Sequence, residues 1–155
     1  MKTTYLFAIA YFALMSLLLL GSGLWLFIEK IGFDVEDIMI YYAGDSTLGL
    51  PAKTLYGQLE VVVPHLGAMG LFIMVMTHFL IFAPKERRTA LIPIAIVTFL
   101  SAFLNTVSGL AISYGMNIFA YIKLGSFILF SITTIYLLFL LLVETFRILH
   151  HYRAI

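Results

Sequence analysis

Ionisable side chains inside long apolar stretches are the residues of this chain whose types and spacing could do chemistry. Glu60, His65 and His78 lie in the otherwise apolar stretch LEVVVPHLGAMGLFIMVMTHFLIF. Lys123 lies in a second apolar stretch, around YIKLGS. An ionised group at the centre of a bilayer costs on the order of 3 kcal/mol, so such groups usually pair, hold a cofactor or line a path for ions or protons. We therefore take these four residues as the first candidates for a functional site.

Five polar residues are predicted to lie at one depth. Glu60 and His65 stand near the start of one apolar run, and Lys123 stands near the start of another. At a rise of about 1.5 Å per residue, the antiparallel run between them brings Asn105 and Ser108 to a similar level. We predict that Glu60 and Lys123 compensate each other's charge and that Asn105 bridges them. The members of this predicted intramembrane polar cluster are Glu60, His65, Asn105, Ser108 and Lys123.

The run that carries Asn105 also has a polar face and a small-residue face. Ser101, Asn105 and Ser108 follow the i, i+4, i+7 spacing of one helix face, which predicts a polar stripe toward the interior of a helix bundle. Gly109 and Ser113 form a pair of small residues that lets a neighbouring backbone approach closely. Both patterns favour a packed bundle.

A b-type haem is the most specific cofactor that the histidines suggest. Membrane cytochromes commonly hold haem between histidines on two helices. A histidine pair near opposite ends of one helix would suit two stacked haems, but His65 and His78 are about 140° apart around their helix and point in different directions. We expect His78 to pair with His150 or His151 if the last helix continues past the membrane surface. The partners open to His65 are Met69, Met116, Lys123 or a residue of another subunit.

Three hypotheses for these polar residues remain open. In the first they form a structural lock that fixes how the helices pack. In the second His65 and His78 are the first-choice metal ligands for a redox cofactor such as haem b, or the site binds a quinone, with Met69 and Lys123 nearby. In the third the cluster is part of an ion, proton or small-solute path. A Soret band in the visible spectrum of the purified protein tests the haem hypothesis.

Composition sets the class of protein. The chain has 155 residues, of which 63% are hydrophobic and 11% charged, a balance that a water-soluble domain of this size cannot hide in one core. A net charge of +1 argues against nucleic-acid binding. The absence of cysteine excludes disulfides, thiolate zinc sites, iron–sulfur clusters and c-type haem attachment. No serine triad, phosphate-binding loop or metalloprotease motif is recognisable, so we expect no catalysis by the chain alone.

Four apolar runs are long enough to cross a bilayer, which needs about 20 helical residues. We predict an all-α, polytopic membrane protein in which these four helices form one up-down antiparallel bundle and a single domain over residues 1–155. The predicted spans are Tyr5–Ile28, Gln58–Phe82, Ala90–Ser113 and Ile118–Phe146. Basic residues cluster at Lys2, in residues 83–90 and in residues 147–155, which predicts that both termini are cytoplasmic.

The loop over residues 29–57 is the only substantial segment outside the predicted spans. Within it FDVEDIMIYY is compatible with a short helix whose apolar residues Phe33, Ile38 and Tyr41 or Tyr42 rest on the bilayer surface. A simple ordered connector with aromatic anchors at the membrane interface is the alternative.

The pattern YG.LE....H, the histidine of THFL and the sequence FAYIKLGS together resemble an uncharacterised group of small four-helix bacterial inner-membrane proteins. The likeness covers the chain from residue 41 onward. It implies that a family pattern includes Tyr56, Gly57, Glu60, His65, His78 and Lys123. Members of the group tend to carry a second histidine two positions before His65, where this chain has Val63. The resemblance implies no particular chemistry.

These observations lead to one expected function and two alternatives. We expect a small multi-pass protein of the bacterial inner membrane that is a non-catalytic accessory or electron-transfer subunit of a respiratory or quinone-linked assembly. Such a chain has almost no extramembrane mass, so it must act through lipids, a membrane-protein partner, a second copy of itself or a bound cofactor. The alternatives are an ion, proton or solute transport element built on Glu60, His65 and Lys123, and a purely structural scaffold.

Overall fold

Five helices form the protein in a computed structural model that describes residues 2–79 and 85–153. The helices are α1 (Lys2–Lys30), α2 (Val35–Ala43), α3 (Leu55–Phe79), α4 (Lys85–Ser113) and α5 (Ile118–Arg153). Four of them, all but α2, are long and apolar enough to cross a membrane. The described residues contain no β-strand. The predicted all-α fold with four spanning helices is therefore confirmed.

The helices extend past most of the predicted ends of the spans. α3 begins at Leu55, three residues before the predicted start, and α5 continues beyond Phe146 to Arg153. α4 begins at Lys85, within the segment predicted to be a loop. Hydropathy marks only the apolar part of a helix, whereas polar residues at the membrane surface continue the same helix at little cost. The predicted end of the second span at Phe82 lies outside the described residues.

The spanning helices pack as an up-down bundle. α4 makes its most extensive contacts with α5 and packs on its other side against α3, while α1 packs mainly against α5. Short connections explain the antiparallel neighbours, because only Tyr114 to Asn117 separate α4 from α5. Gly115 makes this turn in the left-handed region, with φ of 82°, where residues with a side chain are strained. We call the end where α1 begins and α5 ends the termini end, and the opposite end the α2 end.

All four spanning helices contribute to the core at the termini end. The buried cluster there contains Ile9 and Ala13 of α1, Met76 of α3, Leu91 of α4 and Leu137, Leu138 and Leu141 of α5. Aromatic rings join α1 to α3 at the same end, since Phe12 stacks on Phe72 at 5.7 Å and meets Phe79 edge-on at 5.3 Å between ring centroids. The bundle is therefore closed at this end.

At the α2 end, α2 takes the place of α3 in the core. Ile38 of α2 is completely buried in a cluster with residues of α1, α4 and α5, and no buried residue of α3 belongs to that cluster. Phe27 of α1 stacks on Phe127 of α5 within it, with ring centroids 3.9 Å apart. The prediction that a short helix forms here is confirmed, but the prediction that Ile38 rests on the bilayer surface is wrong. Burial inside the bundle removes Ile38 from both water and lipid headgroups.

Local chemistry explains why α2 forms. The carboxylate of Asp34 accepts a hydrogen bond from the backbone N–H of Glu36 at 3.0 Å, which caps the first turn. Glu36 and Asp37 then place negative charge at the positive end of the helix dipole. Gly44 ends the helix and donates its backbone N–H to the carbonyl of Ile40 at 2.9 Å. These signals are all local, so α2 is readable from the sequence although its docking site is not.

Candidate functional site: a buried lysine beside an exposed half-helix

Lys123 is a buried cation near the α2 end of α5. Its side chain is only 5% exposed. The Nζ atom donates a hydrogen bond to the backbone carbonyl of Asn105 on α4 at 2.8 Å and lies 5.0 Å from the ring centroid of Tyr42 on α2. A carbonyl dipole and an aromatic face both stabilise a positive charge without a second charge. No acidic side chain is recorded within ion-pair distance of Lys123 among the described residues.

A chain of hydrogen bonds holds α2 over this lysine. Gln58 of α3 donates its Nε2 to the hydroxyl of Ser113 at 2.5 Å, and that hydroxyl donates to the backbone carbonyl of Tyr42 at 3.0 Å. The backbone N–H of Lys53 donates to the same carbonyl at 3.0 Å. The ring of Tyr42 also lies directly over Gly109, where a Cβ atom would come within 2.5 Å of the ring. The pair of small residues on α4, Gly109 and Ser113, therefore forms the surface against which α2 packs.

Two buried acceptor atoms of this region have no hydrogen-bond partner among the described residues. They are Oε1 of Gln58 and Oδ1 of Asn105. An unpaired buried amide oxygen costs about 1 to 3 kcal/mol, so each is a place where a water molecule or another donor is favoured. Sequence reasoning did not single out Gln58, and it named Tyr42 only as a possible anchor on the bilayer surface, whereas the Tyr42 ring lies against Lys123 and Gly109. Two features of the sequence could have indicated these residues. Gln58 is a lone amide in the first turn of an apolar run, and Tyr42 belongs to a pair of adjacent tyrosines.

The structure divides the predicted polar cluster. Lys123 and Asn105 are brought together, and Ser108 is fully buried on the same helix as Asn105. Glu60 and His65 instead lie on the exposed side of α3, and Nδ1 of His65 is 2.7 Å from the carbonyl of Val61 one turn earlier. The predicted charge pair between Glu60 and Lys123 is therefore wrong. Its physical reason is that α2 fills the position opposite Lys123, so that this part of α3 turns outward.

The predicted polar stripe on α4 does face the interior. Ser101 and Ser108 are buried, and Asn105 is half-buried. The hydroxyl groups do not bridge helices, however, because Ser101 donates to the carbonyl of Thr98 at 3.0 Å and Ser108 donates to that of Leu104 at 2.5 Å. Such bonds to the preceding turn satisfy the hydroxyl within its own helix. The stripe thus supplies small side chains for close packing.

The residues proposed to hold a cofactor are spread over the molecule. His78 is exposed near the end of α3, and Met69 is half-buried with its sulfur 3.5 Å from the hydroxyl of Thr106. α5 continues past His150 and His151 as a helix, as the haem hypothesis requires. No group of three histidine or acidic side chains with metal-binding geometry occurs within the described ranges. A haem b or quinone held by His65, His78, Met69 or Lys123 stays a prediction.

A cleft of about 500 Å³ opens at the α2 end, between the end of α1, the outer side of α2 and the segment before α3. Four charged residues line it, two acids and two lysines, together with Tyr41 and several apolar side chains. Its charged residues are Glu29, Lys30, Asp37 and Lys53. The Nζ atom of Lys53 lies 4.6 Å from the ring centroid of Tyr41, which holds this lysine against the wall of the cleft.

Two titratable groups outside the spanning segments have shifted pKa values. Burial raises the pKa of Tyr42, with a smaller contribution from the neighbouring Tyr41, so its phenol stays protonated beside Lys123. The hydroxyl and backbone N–H of Thr47 donate to Asp45 at 2.6 and 2.7 Å and lower the pKa of that carboxyl. These bonds stabilise the turn that leads from α2 toward α3, and they weaken as pH falls through the lowered pKa.

Comparisons with known proteins agree with the fold. No curated protein and no solved structure matches the chain. A family model described as a transmembrane helical domain matches residues 32–151. The match covers the described parts of α2, α3 and α4, and α5 as far as residue 151, together with the region of the buried lysine, and it agrees with four helices that can cross a membrane. The chain is a multi-pass membrane protein and belongs to this transmembrane helical domain family.

Proposed function

We propose that the protein is a non-catalytic accessory subunit of a membrane assembly, and that the first half of α3 is the surface through which it binds its partner. One observation carries this proposal. Residues 59–68, which we call the α3 face, bury only Val62, although they include Glu60 and His65. Lipid is a poor neighbour for these two side chains, whereas a partner helix can hydrogen-bond to them.

The backbone of the α3 face adds to the argument. Pro64 lies inside the helix and has no N–H, so the carbonyl of Glu60 loses its usual donor one turn later. An unsatisfied carbonyl in hydrocarbon costs several kcal/mol unless another group donates to it. Gly67 has open space where a side chain would stand, which leaves the backbone accessible to a second helix. A polar acceptor, an exposed imidazole and a bare glycine backbone thus lie within about two turns.

The type of assembly is the finer part of the proposal. Most of the described residues lie in helices that can span a membrane, so the contacts proposed here lie within the membrane. The histidines at 65 and 78 suit a respiratory or quinone-linked complex of the bacterial inner membrane, in which haem b or a quinone lies near such side chains. The transport alternative has less support. Glu60 and His65 are exposed on α3, whereas Lys123 is buried inside the bundle, so the three residues do not line one path.

A photocrosslinking experiment tests this proposal. A photoreactive amino acid replaces Val63 on the α3 face, and the matched control replaces Ile132 on α5, since the two side chains are 63% and 59% exposed. We expect illumination in native membranes to give a protein adduct of defined mass from position 63 alone. Mass spectrometry then identifies the partner, and Glu60→Leu lowers the yield, because Glu60 lies one turn before Val63 on the same side of α3 and its hydrogen bond to the partner is lost.

The identity of the crosslinked molecule distinguishes an accessory subunit from a homodimer and from a helix that faces lipid. A subunit of a quinone-reactive or respiratory enzyme supports the full proposal. An adduct with a second copy of the chain supports association through the α3 face as a homodimer, and it removes the accessory role. Lipid adducts alone at both positions contradict the proposal, because the α3 face would then lie in the bilayer.

A further inference from the structure

We propose that the cleft at the α2 end binds the zwitterionic headgroup of a phospholipid, specifically the phosphate and primary ammonium of phosphatidylethanolamine. The cleft has about 500 Å³ of space, within the range of about 300 to 1,000 Å³ that small-molecule sites occupy. This volume suits a headgroup and its glycerol, whereas two acyl chains must remain in the bilayer. The inference is independent of the α3 face and of its partner.

The depth of the cleft matches the headgroup layer. α1 is apolar from Leu6 to Lys30, and 25 residues extend over roughly 37 Å, which exceeds a hydrocarbon core of roughly 30 Å. The last residues of α1 therefore emerge from the hydrocarbon where the cleft begins, at Ile28 to Gly32. Leu55, where the apolar part of α3 begins, marks the same boundary two residues after Lys53 of the cleft. A phospholipid beside α1 thus presents its phosphate at the level of the cleft.

The two lysines of the cleft provide the phosphate half of the site. Lys30 ends α1, where a cation is favoured by the helix dipole, and it lines the cleft together with Lys53. Lys53 is held in place by the ring of Tyr41 on one side and by its backbone bond to Tyr42 on the other. A phosphate between two ammonium groups forms charge-assisted hydrogen bonds to both.

The two acids of the cleft provide the ammonium half. Asp37 is held close to Gly32, where an added Cβ atom would come within 2.5 Å of its carboxylate oxygen. Glu29 stands at the end of α1 beside Lys30. A primary ammonium donates three hydrogen bonds that carboxylates accept, whereas a quaternary ammonium donates none. The lining carries two positive and two negative charges, so a zwitterion with one phosphate and one amine keeps the site neutral overall while each of its charged groups faces residues of opposite sign.

Exposed apolar side chains continue from the cleft toward the centre of the bilayer. Trp25 is 71% exposed and lies three residues before Ile28, so the two share one face of α1. Leu24 and Leu26 are also exposed beside it. The acyl chains of a lipid bound in the cleft therefore pass next to Trp25, which is the single tryptophan of the chain.

This arrangement provides a direct test through tryptophan fluorescence. The full chain is reconstituted in phosphatidylcholine vesicles that contain a small fraction of brominated phosphatidylethanolamine, phosphatidylcholine or phosphatidylglycerol, since bromine quenches nearby tryptophan. We expect brominated phosphatidylethanolamine to be enriched at Trp25 by about three- to fivefold over the other two, the preference that one or two exposed ion pairs provide. Glu29→Gln and Lys53→Gln are expected to reduce this ratio to about one.

Matched variants and a soluble competitor separate the outcomes. Glu36→Gln removes an exposed acid of α2 that does not line the cleft, and Lys53→Arg keeps the charge, so both should retain the enrichment. Equal quenching by the three lipids overturns the proposal, and selective enrichment of phosphatidylglycerol replaces it with an anionic-lipid site. Displacement of the brominated lipid by millimolar glycerophosphoethanolamine would show that a soluble zwitterion is the ligand and would overturn the lipid assignment.

Discussion

Lys123 and Glu60 show how far the type of a residue and its depth in the membrane predict its contacts. Lys123 and Glu60 both stand near the start of an apolar run, and both were expected to face the bundle interior. The structure buries Lys123 against the carbonyl of Asn105 and the ring of Tyr42, and leaves Glu60 exposed. One residue along a helix changes direction by about 100°, so a correct depth leaves the partner undecided. A buried lysine therefore relies here on dipoles and an aromatic ring.

A double-mutant cycle tests this at the residue scale. We expect Glu60→Gln to change the free energy of unfolding by less than about 0.5 kcal/mol, because the side chain is exposed. Lys123→Met should lower it by about 1 to 2 kcal/mol, because a charged hydrogen bond and a cation–π contact are lost. The double variant should show additive changes within about 0.5 kcal/mol in reversible unfolding in detergent micelles. A coupling energy above about 1 kcal/mol between the two substitutions would show that Glu60 and Lys123 do interact, as the sequence predicted.

At the scale of elements, the short helix α2 decides the shape of the α2 end. It occupies the core position opposite α4 and α5 that a fourth spanning helix would otherwise take. The backbone carbonyl of Tyr42 on α2 accepts hydrogen bonds from Ser113 and Lys53, and the ring of Tyr42 covers Gly109. As a result residues 59–68 of α3, apart from Val62, lie outside the core, and they include Glu60 and His65. The docking of α2 is thus the physical cause of the exposed α3 face.

Glycine substitutions test the docking of α2. Gly109→Ala forces a methyl group against the ring of Tyr42, where the contact would be 2.5 Å, and we expect a loss of about 1 to 3 kcal/mol in the free energy of unfolding. Hydrogen exchange of the amides of residues 35–43 should become faster. Gly125→Ala on α5 is the control, since nothing lies within 4 Å of its Cβ position. Equal effects of the two changes would mean that the Tyr42 contact does not hold α2.

At the scale of the whole molecule, the bundle is closed at the termini end and partly open at the α2 end. All four spanning helices share the buried cluster around Met76 and Leu138, whereas the cluster around Ile38 contains no buried residue of α3. Large apolar side chains such as Phe7, Leu19 and Phe139 are more than 60% exposed. In a membrane these side chains contact lipid, so their exposure costs nothing. Glu60 and His65 of the α3 face depart from this pattern, because they are polar side chains exposed on a spanning helix.

The orientation in the membrane is a prediction for the whole molecule. The chain has no cysteine, so single cysteines report accessibility without a background. We expect a membrane-impermeant maleimide to label Ser46→Cys in spheroplasts, because the acidic loop over residues 29–57 should face outward. Thr89→Cys, next to the basic residues of the predicted cytoplasmic loop, should react only after the membrane is permeabilised. The opposite pattern would place both termini outside.

The sequence by itself determined the membrane class and the four spanning helices, and it offered α2 as one of two alternatives for the loop over residues 29–57. These follow from the length of apolar runs and from capping residues such as Asp34, which act within a few residues along the chain. Tertiary structure alone decided that α2 enters the bundle, that Lys123 meets Asn105 and Tyr42, and that Glu60 and His65 face outward. Those outcomes depend on the rotation of each helix about its axis and on contacts between distant segments. Most faces of these helices are apolar, so the sequence does not indicate which face packs inward.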